Sequence, residues 1–392
     1  MLSRLPAPPV PALATRPDWD IFCRVVDNFG DIGVCWRLAR QLASEHGQRV
    51  RLWVDDLDRF RWLCPIVDPE LPRQWLQGIE LRRWGPRWTP VMPAPVVLET
   101  FACRIPEAFV EAMAQLRPPP RWINLDYLSA ESWVADFHAQ PSPHPRLPLV
   151  KYFFFPGFAT DTGGLLREND LRARRDRFMA TADRQRDWWH RLGAAPPPAG
   201  TLRVSLFAYE NPALGELLHL WQASPRPVCC LVPLAGRLPA IEAYAGKTLQ
   251  AGDIVRRGAL EIRLLPFLEQ PAYDELLWLC ELNFVRGEDS FVRAQWAAQP
   301  LVWHIYRQPE AAHLIKLDAF LARYCAALPP TDANPLRDFW QGWNAGRVDH
   351  PSWQRLAARL PELRAHAKCW EKELAGQDDL LSRLLRGSRS GL

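Results

Sequence analysis

No stretch of this 392-residue chain approaches the roughly 18 consecutive apolar residues that a membrane-spanning helix requires, so no membrane partner is expected. No block of one charge sign appears either. Lys and Arg number 48 against 44 Asp and Glu, a formal net charge of +4, whereas nucleic-acid binders concentrate basic charge on one face. That balance excludes nucleic acid as the expected partner and leaves room for an anionic ligand in a local pocket. The nine cysteines, at 23, 35, 64, 103, 229, 230, 280, 325 and 369, form no CxxC pair. An odd number without ligand spacing reads as free thiols in a reducing cytoplasm, not as a disulfide framework or a zinc site. P-loop, HExxH and Ser–His–Asp signatures are missing. Pro6, Pro8, Pro9 and Pro11 break up any secretory apolar core near the start, and residues 1–18 read as a disordered leader.

What is present is a large supply of core. Hydrophobic residues make up 48% and charged residues 23% of the chain, and this length suits about two domains of roughly 150–200 residues. The first half alternates strand and helix patterns. WDIFCRVV (19–26) reads as a buried strand, and Val34, Leu38 and Leu42 then recur at helical spacing. Strands are expected at 50–54, 79–84, 95–100 and 121–125, with a helix at 106–116 opened by Pro106. Repeated units of this kind predict a parallel sheet covered by helices. Residues 167–191 read as one long charged helix, and APPPAG (195–200) is the cleanest linker. The alternation restarts at TLRVSLFAY (201–209), and 310–387 is nearly all helical signal. The expected organisation is an acceptor-side Rossmann-like domain over 19–185 and a second over 186–345. Helices over 346–392 would pack back on the first domain, and ligand would sit in the cleft between the halves.

Two segments carry the chemistry. Asp27-Asn28-Phe29-Gly30-Asp31-Ile32-Gly33 lies between the first strand and the first helix, where open α/β sheets place ligands. Gly30 and Gly33 permit tight turns and close approach of a substrate to the main chain. Asp27 and Asp31 would repel a pyrophosphate, so this loop is unsuited to a dinucleotide and suits a cationic or proton-donating acceptor; the plainer role for Asp31 is a helix N-cap. Arg286-Gly287-Glu288-Asp289-Ser290 follows the strand LNFV and opens a helix. Its amides and Arg286 would hold a diphosphate without metal, while Glu288 and Asp289 suit sugar or ribose hydroxyls; Ser290 as a simple cap is the alternative. Phe207 and Tyr209 in FAYE, with Phe267 and Gln270 in PFLEQ, sit at strand ends and would stack and read a base. The acids Asp55, Asp56 and Asp58 read as ordinary caps, and the run Arg172–Arg177 reads as a solvated helix face.

DNFGDIGVCWRLARQLA, YFFFPGFATDTGGLLRE, FAYEN and RGEDSFVRAQWA together resemble the EarP family of arginine rhamnosyltransferases, in the same order from about residue 20 to about 310. The resemblance implies a GT-B fold, an α/β architecture of two Rossmann-like domains facing a central cleft. It implies dTDP-β-L-rhamnose as co-substrate, an arginine of elongation factor P as acceptor, inversion at the anomeric carbon, relief of ribosome stalling at polyproline, and neither metal nor other cofactor. Carried over by position, Asp31 is the base, with Asp27 beside it and Glu288 as a third catalytic candidate. Phe207, Tyr209, Phe267, Gln270, Arg286, Asp289 and Ser290 match the donor site, to which Asn28, Phe29, Gly30 and Gly33 are also assigned. Two other readings stay open: a GT-B transferase with another nucleotide sugar or a lipid or glycan acceptor, and a nucleotide-sugar-binding protein without catalysis.

Overall fold

The computed structural model describes residues 16–389 apart from 28, 86 and 87; the expected leader lies outside them as far as residue 15. Eight strands form the first sheet: Trp19–Cys23 (β1), Val50–Val54 (β2), Arg73–Leu76 (β3), Ile79–Arg83 (β4), Val96–Thr100 (β5), Arg121–Leu125 (β6), Pro141–Pro143 (β7) and Val150–Phe154 (β8). Their order is β3-β4-β2-β1-β5-β6-β8-β7. β1 is buried at every position because it runs parallel between β2 and β5 with helices over both faces, which demands apolar residues without alternation. Its one charge is fully paired: Asp20 accepts from Arg51 Nε at 2.6 Å, Trp53 Nε1 at 2.8 Å and the Ala94 amide at 2.7 Å.

Six strands form the second sheet: Leu202–Leu206 (β9), Val228–Pro233 (β10), Ile254–Arg257 (β11), Leu260–Leu265 (β12), Leu282–Arg286 (β13) and Leu301–His304 (β14), in the order β11-β12-β10-β9-β13-β14. The expected pair of α/β halves is therefore present. The edge strands β3, β7 and β11 are antiparallel additions that the sequence did not announce, being only three or four residues long. Among the described residues, no helix is long and apolar enough to cross a membrane.

Three expectations are corrected. The helix over 167–191 is two, Leu171–Ala180 and Ala182–Arg191, broken at Thr181 in extended conformation (φ −117°, ψ 103°). The bend lets Phe178 and the Trp188–Trp189 pair enter the same core, that of the second sheet, so the chain leaves the first half before residue 186. The run Arg172–Arg177 is solvated only in part: Arg172 and Arg177 are exposed, but Arg175 turns inward to the buried Glu371 at 3.1 Å and donates to the Trp296 carbonyl at 2.8 Å. Finally, of the segment 346–392, the helices His350–Ala357 and Leu360–Ala375 stay with the second core through Trp353, Leu356, Leu363 and Trp370. Only the helix Leu380–Arg389 returns, placing Leu380, Leu381, Leu384 and Leu385 beside Ile21, Leu38 and Leu42.

Candidate active site

The carboxyl ends of both sheets face one cleft. From the first sheet comes the loop after β1, which enters the helix Gly30–His46 with Phe29 at its N-cap. Asp31 is inside the first turn, not at the cap. Its Oδ2 turns back to accept from the amides of Val26 and Asp27, both at 2.8 Å, and among the described residues Oδ1 meets only the Tyr127 hydroxyl, at 3.4 Å. One oxygen thus holds the loop and the other stays available. Asp56 caps the helix Leu57–Leu63 as expected, accepting from the Arg59 amide, whereas Asp55 accepts from the Val25 amide and is no cap.

From the second sheet come Phe207 and Tyr209 after β9, Phe267 and Gln270 after β12, Arg286 at the end of β13 with Gly287–Ser290 behind it, and His304, Tyr306 and Arg307 at and beyond the end of β14. These elements interlock with the first half. The Tyr209 hydroxyl donates to Asp27 Oδ2 at 2.7 Å, the Leu128 amide donates to Glu288 Oε2 at 2.9 Å, and Gln270 Nε2 donates to the Gly33 carbonyl at 2.9 Å. Phe29 packs on Phe267 with ring centroids 4.8 Å apart.

The two loop glycines serve a purpose other than the expected one. Neither has a positive φ. A Cβ on Gly30 would lie 2.8 Å from Asp27 Oδ2, and one on Gly33 would lie 2.9 Å from Asp289 Oδ2. They make room for carboxylates. Gly287 needs glycine for both reasons: its φ is +60°, and a Cβ there would run into Asp27 Oδ2, so any L side chain would be strained and crowded.

Burial dominates the electrostatics. It pushes the Asp27 and Asp31 carboxyls above their ordinary range; Tyr209 and Arg286 oppose this at Asp27, and the two amides oppose it at Asp31. Glu288, partly buried and near Asp31 and Asp126, is pushed up to about 8 by desolvation despite the Leu128 amide and Lys316. Burial and two neighbouring arginines drive His304 down to about 4, keeping it neutral. The Arg286 guanidinium lies 4.3 Å over the Phe207 ring and 5.0 Å over that of Tyr209.

A cavity of about 730 Å³ opens between β9, β10, β13 and β14, lined among others by Phe207, Tyr209, Arg237, Arg286, His304 and Arg307. Arginines among the lining residues suit a phosphate-bearing ligand, although Arg237 is already paired with Glu242 at 2.9 Å. A narrow extension of about 40 Å³ joins both halves, lined by Asp27, Phe29, Gly30, Phe207, Phe267, Gln270, Arg286, Asp289 and Ser290. Most of the residues singled out in the sequence meet there. Asn28 lies outside the described residues, Asp31 and Glu288 line neither space and instead meet the Tyr127 hydroxyl and the Leu128 amide, and the Ser290 hydroxyl is occupied by the Arg286 backbone. Tyr127, Arg237, His304, Tyr306 and Arg307 were not anticipated; position after a strand was their only signal. Among the described residues, no group of three or more His, Cys, Asp or Glu is arranged to hold a metal ion.

A family model described as "Elongation-Factor P (EF-P) rhamnosyltransferase EarP" matches residues 19–388. The chain is 52% identical over 370 residues to the protein-arginine rhamnosyltransferase of Pseudomonas aeruginosa, covering 94% of this chain and 98% of that one. It is 49% identical over 378 residues to that of Pseudomonas putida, covering 96% and 100%. A solved structure described as "Structural basis for EarP-mediated arginine glycosylation of translation elongation factor EF-P" superposes with a TM-score of 0.69 at 37% identity, covering 96% of this chain and 100% of that one.

Proposed function

The chain belongs to the EarP family and is an arginine rhamnosyltransferase of elongation factor P with a GT-B fold, and from that premise we propose how it works. The donor is dTDP-β-L-rhamnose, the anomeric carbon inverts, no metal takes part, and the modification is made in the cytoplasm, where it relieves stalling at polyproline.

The observation that carries this reading is the opposition of two loops. An acidic one, whose Asp27 lines the narrow part of the cleft with Arg286 and whose Asp31 Oδ1 has no amide donor among the described residues, meets a cavity lined by Arg237, Arg286 and Arg307. An acceptor cation on the first side and a leaving diphosphate on the second would lie on opposite faces of the sugar, the geometry that inversion requires. The attacking guanidinium nitrogen forms its bond to the anomeric carbon as the bond from that carbon to the phosphate oxygen breaks. The electron pair leaves with dTDP, whose charge the arginines stabilise.

Proton removal cannot come first, because a guanidinium pKa above ~12 and a carboxylate near ~4 leave a gap of several powers of ten. Burial raises Asp31 and narrows that gap without closing it. Asp31 therefore orients the guanidinium, draws its charge away from the attacking nitrogen and accepts the proton as the new bond forms. Asp27, tied to Tyr209, supports the same cation. Desolvation raises the Glu288 carboxyl and favours its protonated form, which suits a hydrogen-bonding partner for a sugar hydroxyl.

Intact-mass spectrometry of elongation factor P after incubation with the enzyme and dTDP-β-L-rhamnose tests the reading. One rhamnosyl group should be gained on one arginine, equally with EDTA present. Gain only from another nucleotide sugar would replace the donor, and loss on chelation restored by Mg²⁺ would end the metal-free mechanism.

A further inference from the structure

Behind the cleft, where helices of the two halves meet, lies a buried ion cluster that the chemistry above does not use. Arg37 and Arg293 are each 2% exposed and Asp274 is 1% exposed. Arg37 donates through Nε to Asp289 Oδ1 at 2.9 Å, and its terminal nitrogens reach both oxygens of Asp274, at 3.1 and 3.3 Å, and Glu168 at 3.4 Å. Arg293 grips the same Asp274 at 2.9 and 2.8 Å and Glu168 at 2.7 Å. Two cations so deeply buried are tolerable only when every donor finds an acceptor, and here the acceptors are shared.

The cluster joins the halves next to the donor loop. Arg37 stands on the helix Gly30–His46, which also carries Asp31. Asp289 opens the helix Asp289–Trp296 on the other side and lines the narrow part of the cleft. Its Oδ1 is taken by Arg37 and its Oδ2 by Gln270 at 3.2 Å, with Gly33 packed closely against it. A carboxylate oxygen has two acceptor positions, so each oxygen keeps one for a ligand hydroxyl, in a direction that Arg37 helps to fix.

We propose that Arg37 is a positioning residue of the donor site: without touching the donor, it fixes the Asp289 carboxylate toward the cleft and locks the helix bearing Asp31 to the donor loop. This rests on the placing of Asp289 in the donor site. Only a planar guanidinium with five donors spans Asp289, Asp274 and Glu168 together; a lysine ammonium offers the charge at a single point.

The test is steady-state rhamnosylation by the full chain carrying Arg37→Lys, Asp289→Asn or both, varying dTDP-β-L-rhamnose and elongation factor P separately, with melting curves beside it. Arg37→Lys should stay folded and raise the donor KM by about tenfold or more, within the range of coupling between contacting residues, while the acceptor KM holds. The double variant should lose no more than Asp289→Asn alone. A folded Arg37→Lys with unchanged donor KM, losses that multiply in the double variant, or failure of Arg37→Lys to fold would each overturn the proposal. An unchanged donor KM in Asp289→Asn alone would instead remove Asp289 from the donor site.

Discussion

Replacing Glu288 by Gln should change how the stability of this protein depends on pH more than it changes stability at any one pH. Burial pushes the Glu288 carboxyl from its ordinary value of 4.5 up to about 8. A group whose pKa is raised on folding contributes stability that is fully present below its unfolded value and is lost as pH rises through its folded value. The window is therefore about pH 4.5 to 8, over which the wild type should lose about 1.4 kcal/mol for each pH unit. The full span would approach ~5 kcal/mol. Glu288 is only partly buried, so water reaching it should reduce the total to about 2–4 kcal/mol. Glutamine keeps the shape, and its side-chain oxygen still accepts from the Leu128 amide, but it cannot ionise. Urea unfolding of both proteins at pH 5.5, 6.5, 7.5 and 8.5 would measure the difference. Glu288→Gln should gain on the wild type steadily as pH rises, with unchanged m-values. A difference constant across that range would refute the assignment of a protonated, partly buried Glu288.

Phe207→Ala removes a ring that lies under the Arg286 guanidinium, so it should weaken dTDP binding by roughly 1–3 kcal/mol by calorimetry and leave affinity for elongation factor P unchanged; undiminished dTDP binding would take Phe207 out of the site. Tyr209→Phe deletes the 2.7 Å bond that lowers the Asp27 pKa. Activity that needs ionised Asp27 is lost as pH falls through that pKa, so the acid limb of the kcat/KM profile should move to higher pH, and an unmoved limb would separate Asp27 from catalysis.

Strand-and-loop segments were the most legible part of the sequence. β2 falls on the expected 50–54 and β6 on the expected 121–125, because central parallel strands buried on both faces leave unbroken apolar runs. The loops after β1 and β13 were legible for the same reason: glycine, acid and arginine directly after such a run mark a strand end. Other features were hidden by their physics. The break at Thr181 leaves the charged pattern intact on both sides, and the tertiary pull of Phe178 and Trp188 into one core decides it. Arg37 reads as one more polar residue on an amphipathic helix, since its partners Glu168, Asp274 and Asp289 lie 131 to 252 residues away. Gly30 and Gly33 looked like turn residues because their true neighbours, the side chains of Asp27 and Asp289, are set by folding and not by spacing.

Turnover of Asp31→Asn bears most directly on the mechanism. Asparagine can still accept from the Val26 and Asp27 amides, so the loop held by Oδ2 should survive, and the helix needs no cap from this side chain. What disappears is the charge facing the guanidinium and the place for its proton. Rhamnosylation of elongation factor P, followed by mass spectrometry under saturating dTDP-β-L-rhamnose, should slow by at least about 100-fold, while calorimetry finds dTDP affinity close to wild type. Near-normal rhamnosylation by Asp31→Asn would contradict the assignment of Asp31 as the proton acceptor and turn attention to Asp27.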